Sequence, residues 1–161
     1  MAEEFDLEKA RQQIGQESEP WPYEVTTTSV RMYARAIGYT DRVFYDEEEA
    51  KRRGYRGLPV PPGYLGTPVF DPERSDPTFG FPRGQGPRLD LPTKGLLDGG
   101  TQTEYTGEWI CSGDKLEVTQ KLADVTQRQG GLGNMVFVTN EAVYKRNGEV
   151  VARQRLTSIH Y

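Results

Sequence analysis

The second half of this chain carries strand patterns separated by short turn signals, and these constrain the fold more than any other feature. Apolar and polar residues alternate over 115–128, and strand-like runs also cover 135–144 and 150–161. Asn147-Gly148 between the last two runs is a two-residue hairpin signal, because both residues tolerate the positive φ angles of the tight turn. With a further strand over 96–110, the sequence predicts four substantial antiparallel strands.

The first half predicts short helices. Residues 5–14 give one, with Phe5, Ala10 and Ile14 as its buried positions. A second helix begins at an N-cap among residues 27–29. Its apolar face is Val30, Tyr33, Ala34 and Ile37, at i, i+3, i+4 and i+7, and Gly38 ends it.

Two further helices follow in the predicted order. Asp46 to Gly54 has a capping aspartate at its start, acids before bases, and a glycine at its end. Pro61-Pro62-Gly63 then predicts the entry into a helix that Pro68 and Pro72 cut short, since proline is tolerated only in the first turn. Residues 71–92 predict a long connection rich in proline and glycine.

Helices followed by an antiparallel sheet predict an α+β fold, with the helices packed on one face of the sheet. A chain of 161 residues suits one domain, so we expect residues 1–161 to form a single unit. The outer strands would be exposed edges, a liability that pairing with a second subunit removes.

Composition excludes several classes of function. The net charge of -4 argues against nucleic acid as the main partner. No apolar run approaches the roughly 20 residues that span a bilayer, and the acidic N-terminus lacks the features of a signal peptide, so we expect a cytoplasmic protein without membrane contact. Cys111 is the single cysteine, which we interpret as core filler rather than as part of a metal site.

Basic residues cluster at Lys51, Arg52, Arg53 and Arg56. One interpretation is a solvated helix end, where cations offset the helix dipole. The other is a contact for an anionic ligand such as a nucleotide phosphate. The sequence leaves both open.

The ordered set of motifs resembles the MaoC-type dehydratase/hydratase branch of the hot-dog superfamily, in particular its FAS1-like (N-terminal MaoC) group. The motifs are YARAIG at 33–38, DEEEAKRRGY at 46–55, VPPGYL at 60–65, the strand-turn-strand GGTQTEYTGEWICSGDKL at 99–116 and the hairpin over 136–159. The resemblance implies a single hot-dog domain, in which a curved antiparallel sheet wraps around a shortened central helix.

The same resemblance identifies a deficit in the expected active site. The catalytic branch carries D-x-N-P-x-H-x-D, with an alanine four residues after its last aspartate. With the pattern aligned on Asp46 and Ala50, its catalytic aspartate falls on Tyr39 and its histidine on Phe44. Asp41 and Arg42 then occupy the asparagine and proline positions.

Adding water across an enoyl thioester requires one group to take a proton from water and a proton to reach the carbon beside the carbonyl. Phenylalanine can do neither, and tyrosine, with an ordinary pKa of about 10, is a poor base near neutrality. The only histidine in the sequence, His160, lies in the last strand, far along the chain from this segment. We therefore predict no catalytic residues in this chain.

The other half of the family's site is retained in the sequence. The resemblance implies that the helix start at Pro62, Gly63 and Tyr64 faces the thioester, where amide groups could stabilise a negative oxygen. The alternative is that these residues only begin a helix.

The leading hypothesis is a non-catalytic, acyl-pocket-forming subunit of a heteromeric (R)-specific enoyl-CoA or enoyl-thioester hydratase. The resemblance implies a catalytic MaoC-like hot-dog partner, in a heterodimer or a dimer of heterodimers, and it leaves open whether the chain forms a homodimer without that partner. The substrate would be acyl-CoA or an acyl-carrier thioester, handled without a further cofactor or metal. The alternatives are a self-sufficient homodimeric hydratase or thioesterase that uses Asp41 or Asp46, and a non-enzymatic acyl-CoA binding module.

Overall fold

The computed structural model describes residues 5–66, 89–92 and 94–161 as five strands with short helices. The helices are α1 (Leu7–Arg11), α2 (Thr27–Ala36) and α3 (Glu47–Arg52), with 3-10 turns at Arg42–Phe44 and Tyr64–Gly66. The strands are β1 (Trp21–Glu24), β2 (Leu96–Tyr105), β3 (Lys115–Gly130), β4 (Gly133–Arg146) and β5 (Glu149–His160).

The strands form one antiparallel sheet in the order β1-β3-β4-β5-β2. The four predicted strands are all present, and the hairpin at Asn147-Gly148 is confirmed by positive φ angles of 52° and 83°. The short β1 pairs with β3, from Trp21 opposite Val118 to Glu24 opposite Lys115. The prediction of an α+β fold with a curved antiparallel sheet is confirmed.

One strand boundary differs from the prediction. The strand predicted over 96–110 ends at Tyr105, and Gly107, with a φ of 98°, lies in the connection that follows. Beyond it Cys111 returns to the fold through an isolated bridge to Pro59. Cys111 is fully buried, as expected of core filler.

The helices are present where the sequence predicts them, but with different ends. The cap of α2 is Thr26 rather than residues 27–29, because its hydroxyl accepts from the Ser29 amide and the Ser29 hydroxyl caps in return. Val30 and Ala34 are fully buried, whereas Ile37 is the C-cap and is 42% exposed. In α1 only Ala10 is buried, and Ile14 lies beyond the helix end on the surface.

The concave face of the sheet buries two apolar clusters. The larger one joins β1, α2 and the turn at Pro61–Tyr64 to the ends of β3, β4 and β5. The smaller one, around Leu122 and Val136, is covered by Ala10 of α1 and by Leu89 and Leu91. The sheet is therefore covered by different segments at its two ends.

A buried hydrogen-bond chain ties the Pro61–Tyr64 turn to the sheet. The Tyr144 hydroxyl donates to the Leu65 carbonyl at 3.0 Å and contacts Gln154 Oε1 at 3.4 Å, and Gln154 Nε2 donates to Thr103 Oγ1 at 3.0 Å. Burial raises the pKa of Tyr144. The turn is thus anchored to both β4 and β5.

The helix predicted after Pro61-Pro62-Gly63 is a single 3-10 turn, Tyr64–Gly66, within the described residues. Pro68, Pro72 and most of the predicted connection over 71–92 lie outside those residues. None of the helices in the described ranges is long and apolar enough to cross a membrane.

Replacing Leu122 with alanine should lower the free energy of unfolding by about 2–5 kcal/mol, because Leu122 is fully buried in the smaller cluster and its loss leaves a cavity. Leu132→Ala is the matched control, since Leu132 is 54% exposed and should change stability by less than about 0.5 kcal/mol. Urea denaturation measures both, and equal effects would contradict the packing described.

Candidate functional site

The connection between α2 and α3 contains the positions at which the resemblance places an acid/base pair. Its backbone is shaped by two aspartates. Asp41 accepts from the Val43 amide at 3.0 Å and caps the 3-10 turn Arg42–Phe44. Asp46 accepts from the Glu48 and Glu49 amides at 3.0 and 3.2 Å and caps α3, as predicted.

Each of these carboxylates is also paired with an arginine. Asp41 Oδ2 lies 2.9 Å from Arg53 Nη1, and Asp46 Oδ2 lies 2.5 Å from Arg42 Nη2. The Val43 amide and then Arg53 lower the pKa of Asp41, and the Arg42 hydrogen bond lowers the pKa of Asp46. Both carboxylates are therefore held ionised and are weaker bases than an ordinary aspartate.

Tyr39 and Phe44 are brought together by this connection. Their rings stack with centroids 5.4 Å apart and planes 25° from parallel. The Tyr45 hydroxyl donates to the Tyr39 carbonyl, and Arg31 Nε donates to the Tyr45 carbonyl at 2.8 Å, which ties the segment back to α2. Phe44 also packs against the larger apolar cluster. A stacked aromatic pair thus occupies the two positions that the resemblance assigns to the acid/base pair of the catalytic branch.

His160 is not part of this group. It pairs with Val136 on β4 and Leu96 on β2, six strand positions beyond Gln154, or about 20 Å along β5. Its Nε2 lies 3.0 Å from Ser158 Oγ, and burial lowers its pKa. The contacts from Gln154 through Tyr144 to Leu65 link the Pro61–Tyr64 turn to the middle of β5, away from His160.

Pro61 to Tyr64 forms a β-turn rather than the first turn of a helix. The Tyr64 amide donates to the Pro61 carbonyl at 3.1 Å, and Gly63 has a φ of +84°. Pro62 followed by glycine at positive φ is the preferred sequence of a type II turn. Because Pro62 has no N–H and the Tyr64 amide is used internally, Gly63 provides the amide that the turn can offer to a ligand. From the sequence, several amides at this helix start are expected to face the ligand, whereas the turn offers only the amide of Gly63.

Tyr33 of α2 lies directly over this turn. A methyl group built on Gly63 would lie 2.6 Å from Tyr33 Oη. The rings of Tyr33 and Tyr64 meet edge to face with centroids 5.7 Å apart. The helical periodicity placed Tyr33 on the buried face of α2, but only the fold shows that its hydroxyl reaches Gly63.

The predicted basic cluster divides into two groups. Arg52 and Arg53 both contact the buried carboxylate of Glu49, Arg53 through Nε at 2.7 Å. Arg52 remains 75% exposed, whereas Arg53 also holds Asp41. These contacts fit the interpretation of a helix end whose arginines pair with nearby carboxylates. A role of Arg52 and Arg53 in binding phosphate stays a prediction.

Arg56 belongs to a separate network around Asp114. Its guanidinium reaches Asp114 Oδ1 at 2.8 Å and Oδ2 at 3.2 Å, and it donates to the Trp109 carbonyl at 2.9 Å. Arg146 binds the same carboxylate and the same carbonyl, at 3.0 and 2.8 Å. The sequence marked Asp114 only as a turn residue and gave no signal for Arg146.

Burial alone would raise the pKa of Asp114, whose side chain is 5% exposed, but hydrogen bonds from Arg56, the Cys111 amide and Arg146 hold it below its ordinary value. The same pairing raises the pKa of Arg56. This network fixes the connection between β2 and β3. Within the described residues, no three His, Cys, Asp or Glu side chains come together in a way that would hold a metal ion.

Comparison with known proteins agrees with this fold. The family model of the FAS1-like dehydratase domain region matches residues 12–154. A UPF0336 protein of Parafrankia sp. (strain EAN1pec) is 33% identical over 134 residues, covering 81% of this chain and 80% of that protein.

Two solved structures from Mycobacterium tuberculosis share the fold. A chain of the ChsH1-ChsH2 complex superposes with a TM-score of 0.69 at 18% identity, over 97% of this chain and 91% of that one. A chain of the HadBC (3R-hydroxyacyl-ACP dehydratase) complex gives 0.68 at 21% identity, over 91% and 96%.

The chain therefore belongs to the FAS1-like dehydratase family, and it shares the hot-dog fold of the solved structures. The resemblance drawn from the sequence motifs is confirmed.

Replacing Asp114 with asparagine should lower the free energy of unfolding by about 2 kcal/mol at pH 7, the usual worth of hydrogen bonds to a buried charge. The folded-state pKa of Asp114 lies below its unfolded value of about 3.9. Its contribution is therefore complete above about pH 4 and disappears as the pH falls through the folded pKa.

Urea denaturation of wild type and Asp114→Asn across this pH range measures the difference. Asp124→Asn on the exposed side of β3 is the control and should change little at either pH. A stability gap for Asp114→Asn that stays constant from pH 7 to pH 2 would contradict the assignment.

Proposed function

We propose that this chain is the non-catalytic, acyl-pocket-forming subunit of a heteromeric (R)-specific enoyl-thioester hydratase. The observation that carries the proposal is the stacked pair of Tyr39 and Phe44 at the positions where the catalytic branch has aspartate and histidine. Membership in the dehydratase family supplies the reaction class. Because both positions carry aromatic rings, this chain lacks the acid/base pair that performs the reaction.

Hydration and dehydration of an enoyl thioester both require a general base and a general acid within hydrogen-bond reach of the reacting atoms. A phenyl ring has no proton to exchange. The hydroxyl of a tyrosine is an inefficient base at neutral pH, since catalytic efficiency is highest for groups with pKa values near the working pH. The chemistry must therefore come from another subunit.

The nearby carboxylates are poor replacements for the missing pair. Asp41 and Asp46 each accept backbone hydrogen bonds as caps and each faces an arginine. Using either as a base would require protonating a group whose pKa the fold has lowered. This argues against a self-sufficient homodimeric enzyme built on these residues.

The surface of β2 supports association with a second hot-dog subunit. This edge strand is exposed along almost its whole length, with Leu96, Leu97 and Tyr105 among the exposed large apolar residues. An unprotected edge of this kind invites strand pairing. The ChsH1-ChsH2 and HadBC structures are themselves complexes, which makes a heteromer the favoured arrangement.

The ligand we propose is an acyl thioester of coenzyme A or of a carrier protein, bound without a further cofactor. Pro62, Gly63 and Tyr64 would face the thioester through the one available amide. Among the arginines proposed to contact coenzyme A phosphates, Arg52 is the most exposed, whereas Arg53 and Arg56 would have to share their guanidinium groups with carboxylates already bound.

The purified chain should not hydrate enoyl-CoA substrates of any length, because it lacks a general acid and base. Mixing it with a dyad-bearing hot-dog subunit co-purified from the native host should produce hydration, followed as loss of the ultraviolet absorbance of the conjugated thioester. The partner alone, and the partner with its histidine replaced, are the controls.

Robust turnover by the purified chain would contradict this proposal. In that event Asp41→Asn and Asp46→Asn would show whether a carboxylate acts, since asparagine caps helices about as well as aspartate and should leave the fold intact. Thioester binding without turnover in every partner combination would instead favour a non-enzymatic binding module.

Tyr39→Phe should leave the kcat of the assembled enzyme within about twofold of wild type, because it removes only the hydroxyl and keeps the ring stacked on Phe44. Loss of a true acid or base lowers the rate by roughly 10²–10⁴-fold. Steady-state kinetics of the heteromer separate the two results, and a loss in that larger range would assign proton transfer to Tyr39.

A further inference from the structure

Tyr33 holds its hydroxyl against an exposed turn. It is half-buried on α2, and its Oη lies 2.6 Å from the position of a methyl group built on Gly63. Gly63 itself is exposed and adopts a φ of +84°. The absence of a side chain at Gly63 is what allows the phenol to come this close.

The Tyr33 hydroxyl is not used by the fold. The hydroxyls of neighbouring tyrosines have structural partners: Tyr64 pairs with Ser29 Oγ at 2.6 Å, and Tyr144 donates to the Leu65 carbonyl. Within residues 5–66, 89–92 and 94–161, the Tyr33 hydroxyl has no hydrogen-bond partner. A half-buried hydroxyl in this position is available to a ligand.

The Gly63 amide is in the same situation. Among the described residues it has no acceptor, whereas the Tyr64 amide is bound to the Pro61 carbonyl. The Gly63 nitrogen and the methyl position beside Tyr33 Oη are attached to the same Cα. An N–H donor and an O–H donor therefore lie side by side on an accessible surface.

Two uncharged donors side by side favour an uncharged acceptor that can accept two hydrogen bonds. A carbonyl oxygen has two lone pairs and can accept from both at once. Phosphate groups are instead bound mainly by cations. The nearby cations Arg52, Arg53 and Arg56 already form ion pairs, with Glu49, Asp41 and Asp114 respectively. The surroundings of Gly63 consist largely of aromatic rings, with Tyr23 and Tyr33 both edge-on to Tyr64.

We propose that Tyr33 is a ligand-binding residue whose hydroxyl, together with the Gly63 amide, binds the carbonyl oxygen of an acyl thioester. This rests on the proposed function only in the choice of thioester as the ligand class. It requires no turnover by this chain, because the two donors position the carbonyl and exchange no proton.

The test is a titration of the ¹⁵N-labelled full chain with octanoyl-pantetheine, which carries the arm common to coenzyme A and carrier proteins. The second ligand is the thioether S-octyl-pantetheine, which differs by lacking the carbonyl oxygen. The Gly63 amide resonance should shift with the thioester and not with the thioether. Tyr33→Phe should weaken thioester binding about three- to tenfold, the effect of one lost hydrogen bond, and leave thioether binding unchanged.

Tyr55→Phe is the matched control, since Tyr55 is also half-buried and its ring packs edge-on against Trp109, and this variant should bind both ligands as wild type does. An equal effect of Tyr33→Phe on both ligands, no effect on either, or no binding of the thioester would overturn the proposal. A saturated acyl chain cannot be hydrated, so these results are independent of whether the chain is catalytic, and turnover with enoyl substrates would leave this assignment untouched.

Discussion

The connection between α2 and α3 keeps its shape because its acidic groups are used for structure. Asp41 and Asp46 cap the elements that follow them, and arginines from the same segment neutralise both. With the carboxylates committed in this way, the two positions that face one another are aromatic. The acidic side chains of this segment therefore serve its own structure, and the proposed absence of an acid/base pair rests on Tyr39 and Phe44.

The sheet fixes the position of the turn at Pro61–Tyr64. Tyr144 and Gln154 join the turn at Leu65 to β4, β5 and β2 through buried hydrogen bonds, which are costly to break when water cannot replace them. The turn is thereby fixed beneath α2, and Gly63 is presented next to Tyr33. The donors beside this turn and the stacked pair of Tyr39 and Phe44 therefore belong to different segments of the fold.

Much of this architecture follows from local sequence, and the parts that do not are the long-range ones. Asn147-Gly148 and the cap at Asp46 were predictable because the residues that decide them are adjacent in the chain. Pro61-Pro62-Gly63 was predicted as the start of a helix, and it forms a β-turn that leads into the single 3-10 turn Tyr64–Gly66, since proline suits both the first turn of a helix and the second position of a β-turn. The Arg56–Asp114 pair joins residues 58 positions apart, and no periodic pattern encodes such a contact.

Proton transfer itself can be observed directly. The purified chain would be incubated with an enoyl thioester in deuterium oxide, and mass spectrometry would follow deuterium at the carbon beside the carbonyl. If the acid and base belong to another subunit, no deuterium should appear there above the rate in buffer until a dyad-bearing partner is added. Deuterium incorporated at that carbon by this chain alone would contradict the assignment of a non-catalytic role.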